Sequence, residues 1–403
     1  MVVDSVFDTL KELQDITRKQ AQKYSKKRAC YFDIFKAGKS FIGIAGLRGA
    51  GKTTILKQRL LENSRAMYIA LDSFPQIKLF ELAKELKEKY AIEELLLDEI
   101  HYYANWQLEL KKIYDFLDLK IYFTSSVAID IINSKADLSR RVIVRAVHPF
   151  SFSEYLLFKK NITIAKISFK DIGAVEKLVE IANQDHNFKD YIFGGLLPAH
   201  LEEPSMDIFG NIIEKIVEKD LVYARKFSGE DIQNIRKMLE YIANATIEDT
   251  SYSSISRNLG ITKYLAIKYV SALEQAYILN VILPKGSNVT KEPKILFVPP
   301  FRYYFLKDKS YEKSIGAFRE EFFVEHMKIF GYSLNYLKGR RGEKKPDYIV
   351  YVGAEKYIFE IGGKNKTRTQ IVKGQEKNKF ILVQPSNLRG FYRPLVAIGF
   401  LGK

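Results

Sequence analysis

Apolar runs alternate with amphipathic stretches through the first 150 or so residues of the chain. Short, nearly uninterrupted apolar segments fall at 41–46, 67–71, 94–98, 120–124 and 141–147, with helical spacing between them. Continuous apolar runs of this length suit strands buried on both faces of a parallel sheet, and the intervening helical patterns supply the crossovers. Ahead of them, residues 1–38 predict an amphipathic helix, with Val6, Leu10, Leu13 and Ile16 as its apolar stripe, then a basic segment, KYSKKR.

Beyond Phe150 the rhythm changes. The pattern turns helical to about Ser228, with a glycine-proline break at Gly194, Gly195 and Pro198. Residues 230–282 predict three short amphipathic helices with the spacing of a helix-turn-helix. Gly260 is expected in the turn and Thr262 at the N-cap, with Ile267, Val270 and Leu273 facing inward and Lys263, Lys268, Ser271 and Gln275 outward. The stretch NVILPKGSNVTKEPKILFV then predicts the two strands of a wing. In the last hundred residues a helical stretch, SIGAFREEFFVEHMKIFG, precedes strands in YSLNYL, KPDYIVYV and EKYIFEIGG, and a further helical pattern leads to KFILVQ. The fold class expected is α/β.

Composition narrows the class. Hydrophobic residues make up 47% and charged residues 28% of the 403, ordinary for folded protein with several cores. A single cysteine, Cys30, cannot form an internal disulfide, no apolar run reaches the length of a membrane span, and Asp4, Asp8 and Lys11 interrupt the N-terminal apolar positions. A cytoplasmic protein is expected. The net charge is +16, and residues 331–403 carry 15 Lys and Arg against 5 Asp and Glu. Such asymmetry points to a polyanionic partner, nucleic acid before an acidic membrane.

The candidate chemistry begins at GLRGAGKTT, Gly46 to Thr54, between an apolar run and an expected helix. Gly46, Gly51, Lys52 and Thr53 fit G-x-x-x-x-G-K-[ST], and Leu47, Arg48, Gly49 and Ala50 complete the loop. Backbone N–H groups must curl round phosphate oxygens, which needs glycine, and the following helix adds its positive end. Lys52 then reaches the β- and γ-phosphates and Thr53 ligates Mg²⁺. The run Leu95-Leu96-Leu97-Asp98-Glu99 ends in two acids where ligands bind at the carboxyl end of a parallel strand. Asp98 is expected in the Mg²⁺ shell and Glu99 as the residue that orients and activates the attacking water. ATP and Mg²⁺ are the cofactors implied.

Further candidates lie on other strand ends. KIYFTSS closes with Thr124, Ser125 and Ser126, and SRRVIVRAV opens the fifth strand with Arg140 and Arg141, an arginine for the γ-phosphate from its own subunit or a neighbour's. Asp347 and Glu360, on adjacent strands, with Glu320 or Glu321 from the preceding helix, suggest a hard oxygen site for Mg²⁺ of the kind that hydrolyses phosphodiesters.

Together the phosphate loop, LLLDEIH, FTSS, SRRVIV followed by HPFSFSEYL, and the later EIGGKNK resemble the archaeal and bacterial AAA-type ATPase family whose members carry a winged helix and a PD-(D/E)XK nuclease-like C-terminal domain. The resemblance implies a P-loop NTPase core at 39–150 behind an N-terminal helical segment at 1–38. It implies a helical lid at 151–228, a winged helix at 229–300 and a nuclease-like domain at 301–403. By family position Lys52, Thr53, Asp98 and Glu99 serve nucleotide and Mg²⁺, and Ser125 resembles the polar sensor. Arg141 resembles the arginine of the family's GR before the fifth strand, with Arg140 in place of its glycine. The nuclease pattern wants E-x-K on one strand, where this chain has Glu360 and Gly362, with Lys364 two residues later. Weak cleavage or none is expected. Two functions remain in view: an ATPase acting on nucleic acid through its winged helix and basic C-terminal region, and a nucleotide-driven switch docking a protein or membrane partner. A homo-oligomer is compatible with either.

Overall fold

A computed structural model describes residues 2–36, 38–74, 76–126, 138, 140–286, 292–308, 310–337, 345–363 and 378–402. The chain divides into two compact units, Met1–His148 and Pro149–Lys403. No described helix is long and apolar enough to cross a membrane.

The five apolar runs of the first unit are its strands: β1 (Phe41–Gly46), β2 (Ala66–Ala70), β3 (Glu94–Asp98), β4 (Lys120–Ser125) and β5 (Val142–Val147). They form one parallel sheet in the order β2-β3-β4-β1-β5. β1 and β3 are buried along their whole length, as their unbroken apolar runs require, while β5, an edge, is largely exposed. Crossovers include α3 (Lys52–Glu62), α4 (Leu79–Tyr90) and α5 (Trp106–Phe116); they follow α1 (Val2–Ala21) and α2 (Ala29–Ile34).

α1 forms, but on a different face from the one its apolar stripe predicts. Leu10 is buried; Leu13 and Ile16 are exposed at 38% and 52%, and the docked face continues through Gln14, Thr17 and Ala21. The reason is the open edge of β2. Gln14 Nε2 donates to Tyr68 O (2.7 Å) and its Oε1 accepts from Tyr68 N (2.9 Å), so one amide side chain pairs the unmet backbone groups of the edge strand.

The second unit is built round another sheet, ordered β12-β11-β10-β9-β8, from β8 (Ser333–Tyr336), β9 (Tyr348–Val352), β10 (Glu355–Gly362), β11 (Asn378–Val383) and β12 (Tyr392–Pro394). β8, β9 and β10 are antiparallel neighbours; β11 and β12 add in parallel. The helix Tyr311–Ile329 supplies the ring of Phe323, which meets Tyr348 and Phe359 of the sheet at 5.3 and 5.2 Å. Burying each such ring contributes roughly 1.5–3 kcal/mol. The helical pattern expected between β10 and β11 lies outside the described residues.

Helices Gly229–Asn244, Tyr252–Leu259 and Lys263–Gln275 precede an antiparallel pair, β6 (Leu279–Ile282) and β7 (Lys294–Phe297). Gly260 ends the second helix at φ 68° and Thr262 caps the third through Leu265 N, as expected. On that third helix Val270 and Leu273 are buried, whereas Ile267 is 40% exposed; the inward stripe runs through Ala266, Tyr269 and Val270 instead. Beneath this layer Arg302, 1% exposed, donates from Nε to Glu321 Oε1 (2.6 Å) and from one amino nitrogen to the carbonyls of Ile242 and Ala243. It therefore caps the end of helix Gly229–Asn244 while neutralising a buried carboxylate.

Candidate nucleotide site

The loop after β1 is shaped by its glycines. A Cβ on Gly46 would lie 2.1 Å from Val147 O, so β5 approaches there only because no side chain intervenes. Gly51 adopts φ 90° as N-cap of α3, a left-handed conformation that costs other residues about 1–2 kcal/mol. The loop thus directs the N-terminus of α3 towards the carboxyl edge of the sheet, with a backbone cradle where side chains would intrude. Its geometry fits a polyphosphate. Arg28, from the segment before α2, braces the loop by donating to Ala50 O (3.0 Å) and His148 O (2.8 Å).

Lys52 is 6% exposed, and its ammonium donates to Gly46 O (2.9 Å), Leu47 O (3.1 Å) and Ser126 Oγ (3.2 Å). Asp98, at the end of β3, accepts from Tyr68 Oη (2.7 Å) and from Thr124 Oγ1. Burial first, and then the Asp98 charge, pushes the Tyr68 hydroxyl well above its ordinary pKa, which keeps it a donor. Thr124 Oγ1 also accepts from Glu99 N (2.9 Å), so one hydroxyl orders both acids. Glu99 itself takes φ 53° and ψ 47°, a left-handed backbone rare for a long side chain. Its carboxylate lies 3.3 Å from Arg48 Nη1 and 3.3 Å from Ser126 Oγ, with His101 Nδ1 at 3.4 Å.

Lys52, Asp98 and Glu99 are thus brought to one edge, as the motif spacing predicts. Ser125 lies one step further out, its hydroxyl 3.4 Å from His101 Nδ1, which is itself 3.4 Å from Glu99; Ser126 is the serine between Lys52 and Glu99. Arg141 does not reach this edge within its own unit. β5 runs parallel to β1 with Phe41 opposite Val142 and Gly46 opposite Val147, which leaves Arg141 at the amino end of the sheet. At a rise of about 3.3 Å per residue that is about 20 Å from the loop. Its guanidinium pairs there with Asp115 at 2.9 and 3.0 Å.

Residues 38–156 match the family model described as an AAA domain. An uncharacterized protein of Methanocaldococcus jannaschii, MJ1637, is 32% identical over 405 residues, covering 91% of this chain and 82% of that one. The chain belongs to the AAA-type P-loop ATPase family. A second model, a domain of unknown function (DUF8612), matches residues 185–305. Among solved structures, the AAA-type chain is similar to the Aeropyrum pernix ORC1 protein, solved in complex with DNA: 11% identity, 75% of this chain and 93% of that one, TM-score 0.31. It is also similar to the Thermotoga maritima RuvB Holliday junction branch migration motor: 15% identity, 69% and 90% coverage, TM-score 0.26.

The acids expected as a second metal site in this AAA-type protein are not gathered into one. Glu320 Oε2 accepts from Lys294 Nζ (3.1 Å) and Tyr348 Oη (2.7 Å). Burial alone would lower the Lys294 pKa, and the charges of Glu320 and Asp347 more than reverse this, so the lysine holds its proton and neutralises Glu320. Asp347 Oδ2 accepts from Ile361 N (2.7 Å), Glu360 is buried in β10, and Glu321 belongs to the Arg302 pair. Among the described residues no three His, Cys, Asp or Glu side chains come together as a metal cage. Gly362 still pairs with Val383 at the end of β10, and Lys364 lies outside the described residues.

Proposed function

We infer that the first unit hydrolyses ATP to ADP and inorganic phosphate. The observation that carries this is the convergence of Lys52, Asp98 and Glu99 on the glycine-shaped loop at one edge of the sheet. The loop amides and the N-terminus of α3 receive the phosphates. Lys52 exchanges its carbonyl partners for β- and γ-phosphate oxygens. Thr53 and Asp98 are the residues that would hold Mg²⁺, which when bound screens the phosphate charge. Glu99 orients a water and takes its proton as oxygen attacks the γ-phosphorus; the bond to the bridging oxygen breaks and ADP departs. Tyr68 and Thr124 keep the Asp98 carboxylate fixed throughout.

The second unit couples this turnover to nucleic acid. Three helices followed by an antiparallel strand pair support a winged-helix assignment for 229–300, and the +16 net charge supports a polyanionic partner. The recognition helix offers less than its sequence suggests: Lys263 pairs with Glu292, Lys268 lies 4.7 Å over the Phe227 ring, and Gln275 accepts from Arg225. The basic residues of 331–403 therefore carry more of the binding, although most fall outside the described residues. Asp347, Glu360 and Glu320 neither cut nor carry the binding in this scheme, since Glu320 is already neutralised by Lys294 and Glu360 is buried. ATP turnover with and without single- and double-stranded DNA tests the coupling. Stimulation that falls steeply with salt, without cleavage, is expected. Turnover indifferent to DNA at low salt would favour a nucleotide-driven switch with a protein or membrane partner.

A further inference from the structure

Arg48 stands inside the phosphate loop at a position the G-x-x-x-x-G-K-[ST] pattern leaves open. It is 15% exposed, and its guanidinium faces the 18% exposed Glu99 carboxylate at 3.3 Å while its other amino nitrogen reaches Tyr102 Oη at 3.3 Å. The same carboxylate is joined to Lys52 through Ser126, whose hydroxyl is 3.2 Å from the ammonium and 3.3 Å from Glu99 Oε2. The two cations of the loop and the acid expected to activate water thus engage one another. Meanwhile Arg141, the arginine expected to meet the γ-phosphate, is held by Asp115 at the far end of the sheet.

We propose that Arg48 is the γ-phosphate sensor of this site: it restrains Glu99 until a triphosphate competes for the guanidinium, and its transfer to the γ-phosphate frees Glu99 to accept the proton of water. This rests on the nucleotide-site reading above. The group that activates water must lie beside the γ-phosphorus, so an arginine bonded to Glu99 already lies at the γ end of the cradle. A guanidinium fork matches phosphoryl oxygens bidentately, and charge-assisted bonds to phosphate are stronger than a single 3.3 Å contact to a carboxylate. A diphosphate lacks the competing oxygens and leaves the pair intact. The device therefore distinguishes ATP from ADP by charge competition within one loop.

Equilibrium binding of ADP and of the β,γ-imido analogue of ATP, with Mg²⁺, to four full-length proteins tests it: parent, Arg48→Ala, Glu99→Gln and the double variant. Arg48→Ala should weaken the triphosphate about tenfold, the loss of one charge-assisted contact, and leave ADP within about twofold. Glu99→Gln should tighten the triphosphate about threefold or more by removing the competitor, and should do nothing in the Arg48→Ala background. Equal weakening of both nucleotides by Arg48→Ala, or a Glu99→Gln gain that persists without Arg48, would overturn the sensor while leaving the nucleotide site in place. A parent protein that binds neither nucleotide would remove the site and the sensor together. Thermal unfolding followed through Trp106, the only tryptophan of the chain, checks that each variant is folded.

Discussion

Replacing Glu99 by Gln separates chemistry from architecture, because the amide keeps the size and shape of the side chain and loses the charge that holds Arg48 and the basicity. The pair with Arg48 is partly exposed, 15% and 18%, so its charge contributes at most about 1 kcal/mol to stability. For a unit of this size that is a fall of about 2–4 °C in melting temperature. A lost general base is worth about 10²–10⁴ in rate, or about 3–5 kcal/mol of transition-state stabilisation. Turnover should therefore collapse while unfolding barely shifts. Trp106 is 3% exposed and lies against Phe123 of β4, so its fluorescence reports the first unit alone. Steady-state phosphate release supplies the rate. Parent-like turnover in a folded Glu99→Gln protein would refute the assignment of Glu99 as base, and a large drop in melting temperature would refute the claim that its role is chemical.

In the second unit, Arg302→Met should cost about 3–5 kcal/mol by stranding the Glu321 carboxylate, and Arg302→Met with Glu321→Leu should recover most of it in chemical unfolding; a double variant no better than the single would contradict that pairing. His326 is fully buried: its Nδ1 donates to Phe322 O (2.7 Å), its Nε2 accepts from Phe152 N (2.9 Å), and burial lowers its pKa from 6.5 to about 4. The unfolded chain takes up that proton first, so the stability His326 contributes is present above 6.5 and lost as pH falls towards 4. That lowering corresponds to about 3 kcal/mol. Unfolding free energies of parent and His326→Gln across this range should diverge accordingly, and parallel curves would refute it.

Much of the first unit was legible because strands buried on both faces must be apolar throughout, as β1 and β3 are, and the five apolar runs fall where the five strands lie, the exposed edge β5 included. The loop glycines were legible for a similar reason, since only glycine meets the geometry at Gly46 and Gly51. Three features were not legible from residue type. Gln14 docks through hydrogen bonds to a strand edge, which no hydrophobic stripe reports, so Leu13 and Ile16 were expected inside. Ser125 and Ser126 differ by one residue at a strand end, where side chains alternate between faces, and composition cannot choose between them. Arg48 occupies a position where the motif accepts any residue. The place of Arg141 was readable in principle: a residue preceding a parallel strand lies opposite the carboxyl edge where the phosphate loop sits.

Binding and hydrolysis of ATP at the loop Gly46–Thr54, with the acids at the end of β3, is the function proposed for the first unit. Phosphate release from ATP by the purified full-length protein and by Lys52→Ala, each with and without Mg²⁺, tests it most directly. Mg²⁺-dependent release by the parent, and at least about a hundredfold less by folded Lys52→Ala, is predicted from the loss of the only loop charge aimed at both phosphates. Equal rates from the two proteins, or no nucleotide turnover by the parent under any of these conditions, would contradict it.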